Sequence, residues 1–389
     1  MNPRRALTLA QLTNAIGDGA YIVTSTLYFT RVVGLSPTEI GLGLTIGWAV
    51  GTVLGVPLGH LADRRGPRGV AVLLALATAA GVGSFLVVRS FPLFLLAVCL
   101  YASAQSGLTA AQQALLAGLV QPGERTRVRA VLQSTGNAGL AVGAGLGGLA
   151  LYFDTPFSYL AVLGMDAASY VIAAFVLLAL PTVAAVSSVK GEPKLAVLRD
   201  RPYVVITMLN TVMLFYRPLI SLVLPLWIVE RTDAPAWTVS AVLVVNTLSV
   251  VLFQVRVAGW VRDLASASRI MLLAGGVLFA SCLVFSWGTT AWIILAAAVL
   301  QVIGEMMLAS ASWEISFGLA PADKQGQYQG FFGTSTTIAR MAGPVLLTGL
   351  ILGWGTGGWL VLGGMFAAAG ALMGPAVRWA SRARLLEAA

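Results

Sequence analysis

Gly59-His60-Leu61-Ala62-Asp63-Arg64-Arg65-Gly66-Pro67-Arg68 stands between two long apolar runs, residues 38–60 and 69–89. One carboxylate and three arginines crowd into a short turn, and the Gly-Pro pair punctuates it. Outward in both directions the same pattern repeats. Apolar runs of roughly 20 residues or more, enough to cross a ~30 Å hydrocarbon core, lie near 7–32, 38–60, 69–89, 92–119, 128–152, 157–181, 203–229, 237–260, 269–287, 291–317, 328–353 and 357–377. The sequence therefore predicts an all-α membrane protein of twelve transmembrane helices. The first run is too long for a signal-peptide core and carries Asp18, so we expect it to be retained as a helix.

Composition agrees. Of 389 residues, 58% are hydrophobic and 10% are charged, against about 25% charged in a soluble domain. An ordinary globular enzyme and a disordered chain are both excluded. The net charge of +9 is a matter of topology. With both termini placed in the cytoplasm, 19 of the 24 Lys and Arg fall inside, three (Arg31, Arg89, Arg231) fall outside and two (Arg217, Arg340) lie within helices. This positive-inside bias explains the basic balance without nucleic acid. Tryptophans 227, 237, 287, 292, 354 and 359 fall at outer helix ends, where interfacial belts form. High Ala, Gly and Arg usage points to a GC-rich bacterial source, and we expect the multi-pass chain to lie in its inner (plasma) membrane.

Shifting the chain by 200 aligns Arg31 with Arg231, Gly59 with Gly259, Asp63 with Asp263 and Gly143 with Gly343. We read two six-helix bundles, 1–183 and 202–389, joined by a cytoplasmic linker at 184–201. Parallel repeats of this size suit two halves that rock about a central site.

Gly59–Arg68 resembles the signature loop of the major facilitator superfamily, G-x-L-A-D-R-x-G-R-R, departing only at Pro67. The resemblance implies the major facilitator fold and a conformational latch built from Gly59, Asp63, Arg64, Gly66 and Arg68, stabilising an outward-open state, with Asp263 as its degenerate second copy. A carboxylate at a helix end can cap a neighbouring helix, and the arginines can pair across the loop or with anionic lipid. Gly139, Gly143, Gly147 and Gly148 resemble the family's antiporter motif in the fifth helix, with Ala144 where that motif has proline; Gly343-Pro344 carries the proline in the second half. Ile16-Gly17-Asp18, Gln112-Gln-Ala-Leu-Leu and Asp166-Ala-Ala-Ser resemble the macrolide-efflux and enterobactin-exporter branch. Gly43, Gly47, Gly51 and Gly55 run into Gly59 at every fourth position, a small-residue stripe that we expect to slide against a helix of the other half.

Charges in mid-membrane cost about 2.5–3.5 kcal/mol each unless paired or hydrated. Asp18, Asp166, Arg217, Glu305, Glu314 and Arg340 qualify. In the family the first, fourth, seventh and tenth helices line the cavity and the sixth faces lipid. On that basis Asp18 is the expected proton-coupling residue, with Glu305 either a second one or paired to an arginine, and Asp166 is structural. Tyr21, Gln105, Gln112, Asn210, Phe215, Tyr216, Arg217 and Arg340 are the expected substrate-binding residues. There is no G-x-x-x-x-G-K-[ST] for ATP, no readable catalytic constellation and no metal cluster. The mid-helix G-x-G-x-x-G at Gly143 follows no strand, and Cys99 and Cys282 form no motif.

The resemblance thus implies a monomeric, proton-coupled secondary exporter (an antiporter) of amphipathic small molecules or drugs, needing no cofactor beyond the proton gradient, with protons, substrate and anionic lipid as partners and no enzymatic activity. An importer or facilitator for an organic anion is the alternative within the fold. A transport-inactive receptor or assembly factor is the alternative outside it.

Overall fold

The computed structural model describes residues 3–185 and 195–388. Every long element among them is a helix: α1 Pro3–Leu27, α2 Pro37–Arg65, α3 Pro67–Ser84, α4 Phe91–Leu119, α5 Pro122–Phe153 and α6 Pro156–Leu178, then α7 Arg201–Arg231, α8 Trp237–Ala258, α9 Leu264–Trp287, α10 Ala291–Leu319, α11 Gln325–Leu352 and α12 Thr356–Ala388. Eleven are long and apolar enough to cross a membrane. The remaining one, α1, is diluted by Arg4, Arg5, Asn14 and Asp18, yet it is 25 residues long. Half of the 184–201 linker, including Lys190 and Lys194, lies outside the described residues.

The boundaries follow from local chemistry. From α2 to α7, each helix has proline in its first turn, where the missing N–H costs nothing and φ is already helical. Pro67 is one of these, so the residue that departs from the signature opens α3. Gly66 before it sits at φ +90°, a region closed to residues with a Cβ. Ser36 and Glu39 close a capping box at α2, and Thr155 with Ser158 closes another at α6. Three helices pass through a π-helical turn: at Tyr28–Val32 after α1, at Leu219–Val223 in α7 and at Thr348–Leu352 in α11. In α7 the regular helix already breaks at Leu214 and Phe215.

Two compact units result. The first comprises residues 1–121, 131–196 and 320–333; the second comprises 122–130, 197–319 and 334–389. The start of α5 therefore groups with the second unit and the start of α11 with the first. In the first unit α2 packs on α4, α3 on α4 and α6, and α1 on α6. In the second, α8 packs on α10, α9 on α10 and α12, and α7 on α12. Each pair recurs six helices later, so the internal repeat is one of packing. Arg31 and Arg231 share it. Arg31 bonds Asp154 just past the end of α5 at 2.6 Å, and Arg231 donates to the Leu352 carbonyl at the end of α11 at 2.8 Å. Tyr159 and then Arg31 hold the Asp154 carboxyl below the usual carboxylate range.

The glycine stripe on α2 meets α4 of its own unit, not a helix of another half as we expected. A Cβ on Gly43 would strike Phe94, on Gly47 Val98, and on Gly51 the Ala102 carbonyl at 2.6 Å. Only the C-terminal end of the stripe turns elsewhere: Gly59 abuts Gly326, and Gly330 abuts Gly55. Because the obstacle at Gly51 is backbone, Gly51→Leu is expected to cost about 1–3 kcal/mol or more by overpacking. Gly41→Leu, with nothing within 4 Å of its Cβ, serves as the neutral control. Thermal melting of the two purified variants checks this.

The surface is apolar: Val53, Val87, Phe157 and Val345 are all exposed, as suits a chain solvated by lipid. Trp237, Trp287, Trp292 and Trp354 are exposed as well. Trp227 and Trp359 are not belt residues. Both are buried, with rings 5.6 Å apart and Phe285 stacked on Trp359.

Candidate functional site

Among the described residues, each unit holds a cluster of ionisable and polar side chains between its helices. In the first, Asp18 on α1 accepts a hydrogen bond from the Tyr170 hydroxyl of α6 at 2.7 Å, and Gln105 of α4 donates to that same hydroxyl at 2.8 Å. Asp18 is half-buried. Near it lies an aromatic cluster, buried except for Trp48: Tyr21 stacks on Phe85 at 6.1 Å, and Tyr101 stands 5.9 Å from Tyr21 and 6.1 Å from Trp48. Small residues permit this approach. Gly139 and Gly143 of α5 lie on the α1 backbone at Ala15 and Ile16, and Gly147 lies on Ala20.

Asp166 of α6 does not face lipid, contrary to expectation. Its residue is 0% exposed, and neither carboxylate oxygen has a hydrogen-bond partner. It packs against Gly17, where a Cβ would collide with its Oδ1. Helix α6 has a second, buried face because it packs on both α1 and α3.

In the second unit, Glu305 of α10 accepts from Asn246 of α8 at 2.6 Å and from the Tyr216 hydroxyl of α7 at 3.3 Å. These hydrogen bonds come from neutral donors, and the charge of Arg217 acts on Glu305 from nearby. Arg217 lies with its guanidinium 5.6 Å above the Tyr216 ring, and its Nε is buried without a hydrogen-bond partner. The break in α7 turns Phe215 and Tyr216 inward, both buried. Gly343 of α11 packs on Pro218 just beyond, and Pro344 follows it inside the helix.

A third group surrounds the signature loop. Asp63, still within the last turn of α2, accepts from the backbone N–H of Gly326 at 2.6 Å and of Gln327 at 2.8 Å. It caps the N-terminus of α11, where four N–H groups lack helical acceptors and the dipole favours an anion. His60 Nδ1 lies 3.0 Å from Gln327 Nε2. Arg68 donates to the Leu180 carbonyl at 2.7 Å, closing the far end of α6. Arg64 is half-buried beside this group.

A model described as the Major Facilitator Superfamily matches residues 7–344. The chain belongs to that superfamily. It is a multi-pass membrane protein of a transporter family. The uncharacterized MFS-type transporter YttB of Bacillus subtilis is 26% identical over 362 residues, covering 88% of this chain and 86% of that protein. Multidrug resistance protein MdtH of Cronobacter sakazakii is 27% identical over 357 residues, covering 90% and 83%. Among solved structures, a bacterial homologue of the iron transporter ferroportin in an outward-facing state superposes with a TM-score of 0.78 at 16% identity, covering 98% of this chain and all of that one.

Two expected site residues of this superfamily member are spent on its framework. Asn210 is 2% exposed, and its amide is consumed: Nδ2 donates to Ser335 at 2.8 Å, and Oδ1 accepts from Ser312 at 2.7 Å. Asp263 caps its own helix, accepting from Ser266 N–H at 2.7 Å, and those bonds hold its carboxyl below the usual range. The spacing from glycine matches Asp63, but α8 ends at Ala258 and leaves Asp263 in extended backbone just before α9. Gln112 is half-buried on α4, and Arg340 is exposed on α11. Unforeseen in the sequence, Glu314 of α10 accepts from Thr126 of α5 at 2.6 Å, and Arg129 lies 5.8 Å from the Trp313 ring.

Proposed function

We propose that this superfamily member is a proton-coupled exporter of amphipathic small molecules working by alternating access. It acts as a monomer in a bacterial inner membrane with both termini cytoplasmic, and it is driven by the proton gradient without a cofactor or enzymatic step. The observation carrying this reading is the Asp18–Tyr170–Gln105 chain inside the first unit. Tyr170 donates to Asp18 without bringing a charge, so binding or loss of a proton on Asp18 changes the net charge of the cluster. An intramembrane acid of this kind is a functional site by default. The aromatic cluster of Tyr21, Phe85, Tyr101 and partly exposed Trp48 beside it is of the kind that lines sites for flat, amphipathic ligands with few polar anchors, and the MdtH relatives are named for multidrug resistance. Asp63 acts as the latch: its two bonds at the start of α11 form in one conformation and open in the other, with Arg64 and the other loop arginines near anionic headgroups.

A second reading rests on Arg217, whose buried Nε has a hydrogen bond left to give. It makes the substrate an organic anion, moved inward or by facilitated diffusion.

Inverted membrane vesicles with an imposed inside-acid gradient separate the two. Ethidium, a flat lipophilic cation, is expected to accumulate in the lumen and to leave when a protonophore is added. Release of carboxyfluorescein preloaded in the lumen instead, with ethidium untouched, overturns the exporter reading in favour of the second. Failure to move either probe, with the protein folded and inserted, supports a receptor or assembly factor.

A further inference from the structure

Asp166 takes no part in the hydrogen-bonded chain just described, yet it lies against it. Its nearest hydroxyl donor, Ser169, gives its proton to the backbone carbonyl of Asp166 itself at 2.7 Å. Both carboxylate oxygens are left without a partner in a residue that is 0% exposed. The absent Cβ of Gly17 lets the carboxyl come down on the α1 backbone immediately before Asp18, since a methyl there would overlap Asp166 Oδ1 and approach Ser169 Oγ to 2.7 Å. One turn further along α6, Tyr170 donates to Asp18. Three α6 side chains, Asp166, Ser169 and Tyr170, thus converge on the Gly17–Asp18 step.

An ionised carboxylate cannot be held in such a place without hydrogen bonds or a counter-charge; the group neutralises instead. The titratable groups facing it are Asp18 and Tyr21 from α1 and Tyr170 from its own helix, with Tyr101 of α4 beyond Tyr170. None of these supplies a positive charge. The packed face of α3, from Gly69 to Ser84, carries no charged residue. Asp18, half-buried, is the one of the two acids that reaches the surroundings.

We propose that Asp166 is a second proton-binding carboxyl of the Asp18 site, held as the neutral acid and carrying the coupling proton that Asp18 exchanges. In the exchange the O–H bond at Asp166 breaks as one forms at Asp18, and the negative charge passes from Asp18 to Asp166. The step occurs when the α1–α6 seam opens enough to solvate the charge. The coupling part rests on the exporter reading above; the neutral-acid part does not.

Infrared spectroscopy of the purified protein at neutral pH reads the first part directly. A carbonyl stretch of a protonated carboxylic acid is expected in the wild type, retained in Asp18→Asn and missing in Asp166→Asn. Gly17→Ala, which leaves Asp166 in place but pushes its carboxyl aside, is expected to shift the same band, so the assignment survives even if Asp166→Asn folds poorly. A band unchanged by both variants overturns the proposal. Ethidium in the vesicle assay reads the second part. Accumulation driven by the gradient is expected to fall about tenfold or more in Asp166→Asn, as for a functional intramembrane acid, while exchange at equal pH on both sides persists. Wild-type accumulation in that variant overturns the coupling role. A wild type that shows the band but moves no ethidium overturns the exporter reading and with it the coupling role, and leaves the buried acid established.

Discussion

Replacing Asp18 with Asn is expected to abolish gradient-driven accumulation while leaving the protein folded and competent for exchange. The amide keeps the shape of the carboxyl and still offers an oxygen to Tyr170, whose 2.7 Å bond and link to Gln105 therefore persist in neutral form. What vanishes is the capacity to bind and release a proton. Placing a neutral group at mid-helix also removes a charge that costs about 2.5–3.5 kcal/mol on insertion scales, so melting at or above the wild-type temperature is expected. The discriminating measurement is ethidium accumulation with the pH gradient set against ethidium exchange without it. Loss of the first with retention of the second is the signature of a coupling residue. Equal loss of both would place Asp18 in substrate binding or packing, and undiminished accumulation would remove it from the mechanism.

Asp63→Ala is expected to have the largest effect on stability. Two backbone N–H groups at the start of α11 point at this carboxylate, 2.6 and 2.8 Å away, and the side chain is buried. A hydrogen bond to a charged group is worth about 1.5–3 kcal/mol, and a buried donor left unmade costs about 1–3. Water entering the vacated space recovers part of this, so a net loss of about 2–4 kcal/mol is expected. Asp63→Asn keeps one acceptor and is expected to lose less. Melting of the two variants in detergent gives the ranking, and vesicle transport by the same preparations tests the latch, since a cap that favours one conformation changes turnover when removed. Asp63→Ala melting with the wild type would show that the start of α11 is held by other contacts.

The fold was legible in the sequence because a membrane span is announced by its length and apolarity, and neither depends on partners. The signature loop was legible for a different reason: glycine at φ +90°, proline at the first turn of α3 and a carboxylate at a helix end are local requirements of the backbone. Side-chain destinations were less accessible. Asp63 and Asp263 share the same spacing from glycine, and only the end of α8 at Ala258 gives the second aspartate to its own helix. Asn210 reads from sequence as a polar group awaiting a ligand, but Ser312 and Ser335, a hundred or more residues away, consume it. Asp166 was assigned to lipid by the helix it sits on; its position on the α1-facing side of α6 is a matter of helical phase. The neighbouring Gly17 was the available signal, since a glycine beside a membrane acid marks a place where another helix must come close.

Phase is also what the π-helical turns change. Each such turn accommodates one extra residue without extending the helix, and a residue of ordinary α-helix subtends about 100°. Beyond Leu219 in α7, where regular helix resumes at Leu224, a helical wheel continued from the earlier segment points to the wrong neighbours by roughly that angle. A substitution scan along this helix should therefore display two offset stripes of sensitivity, and averaging them as one would erase both.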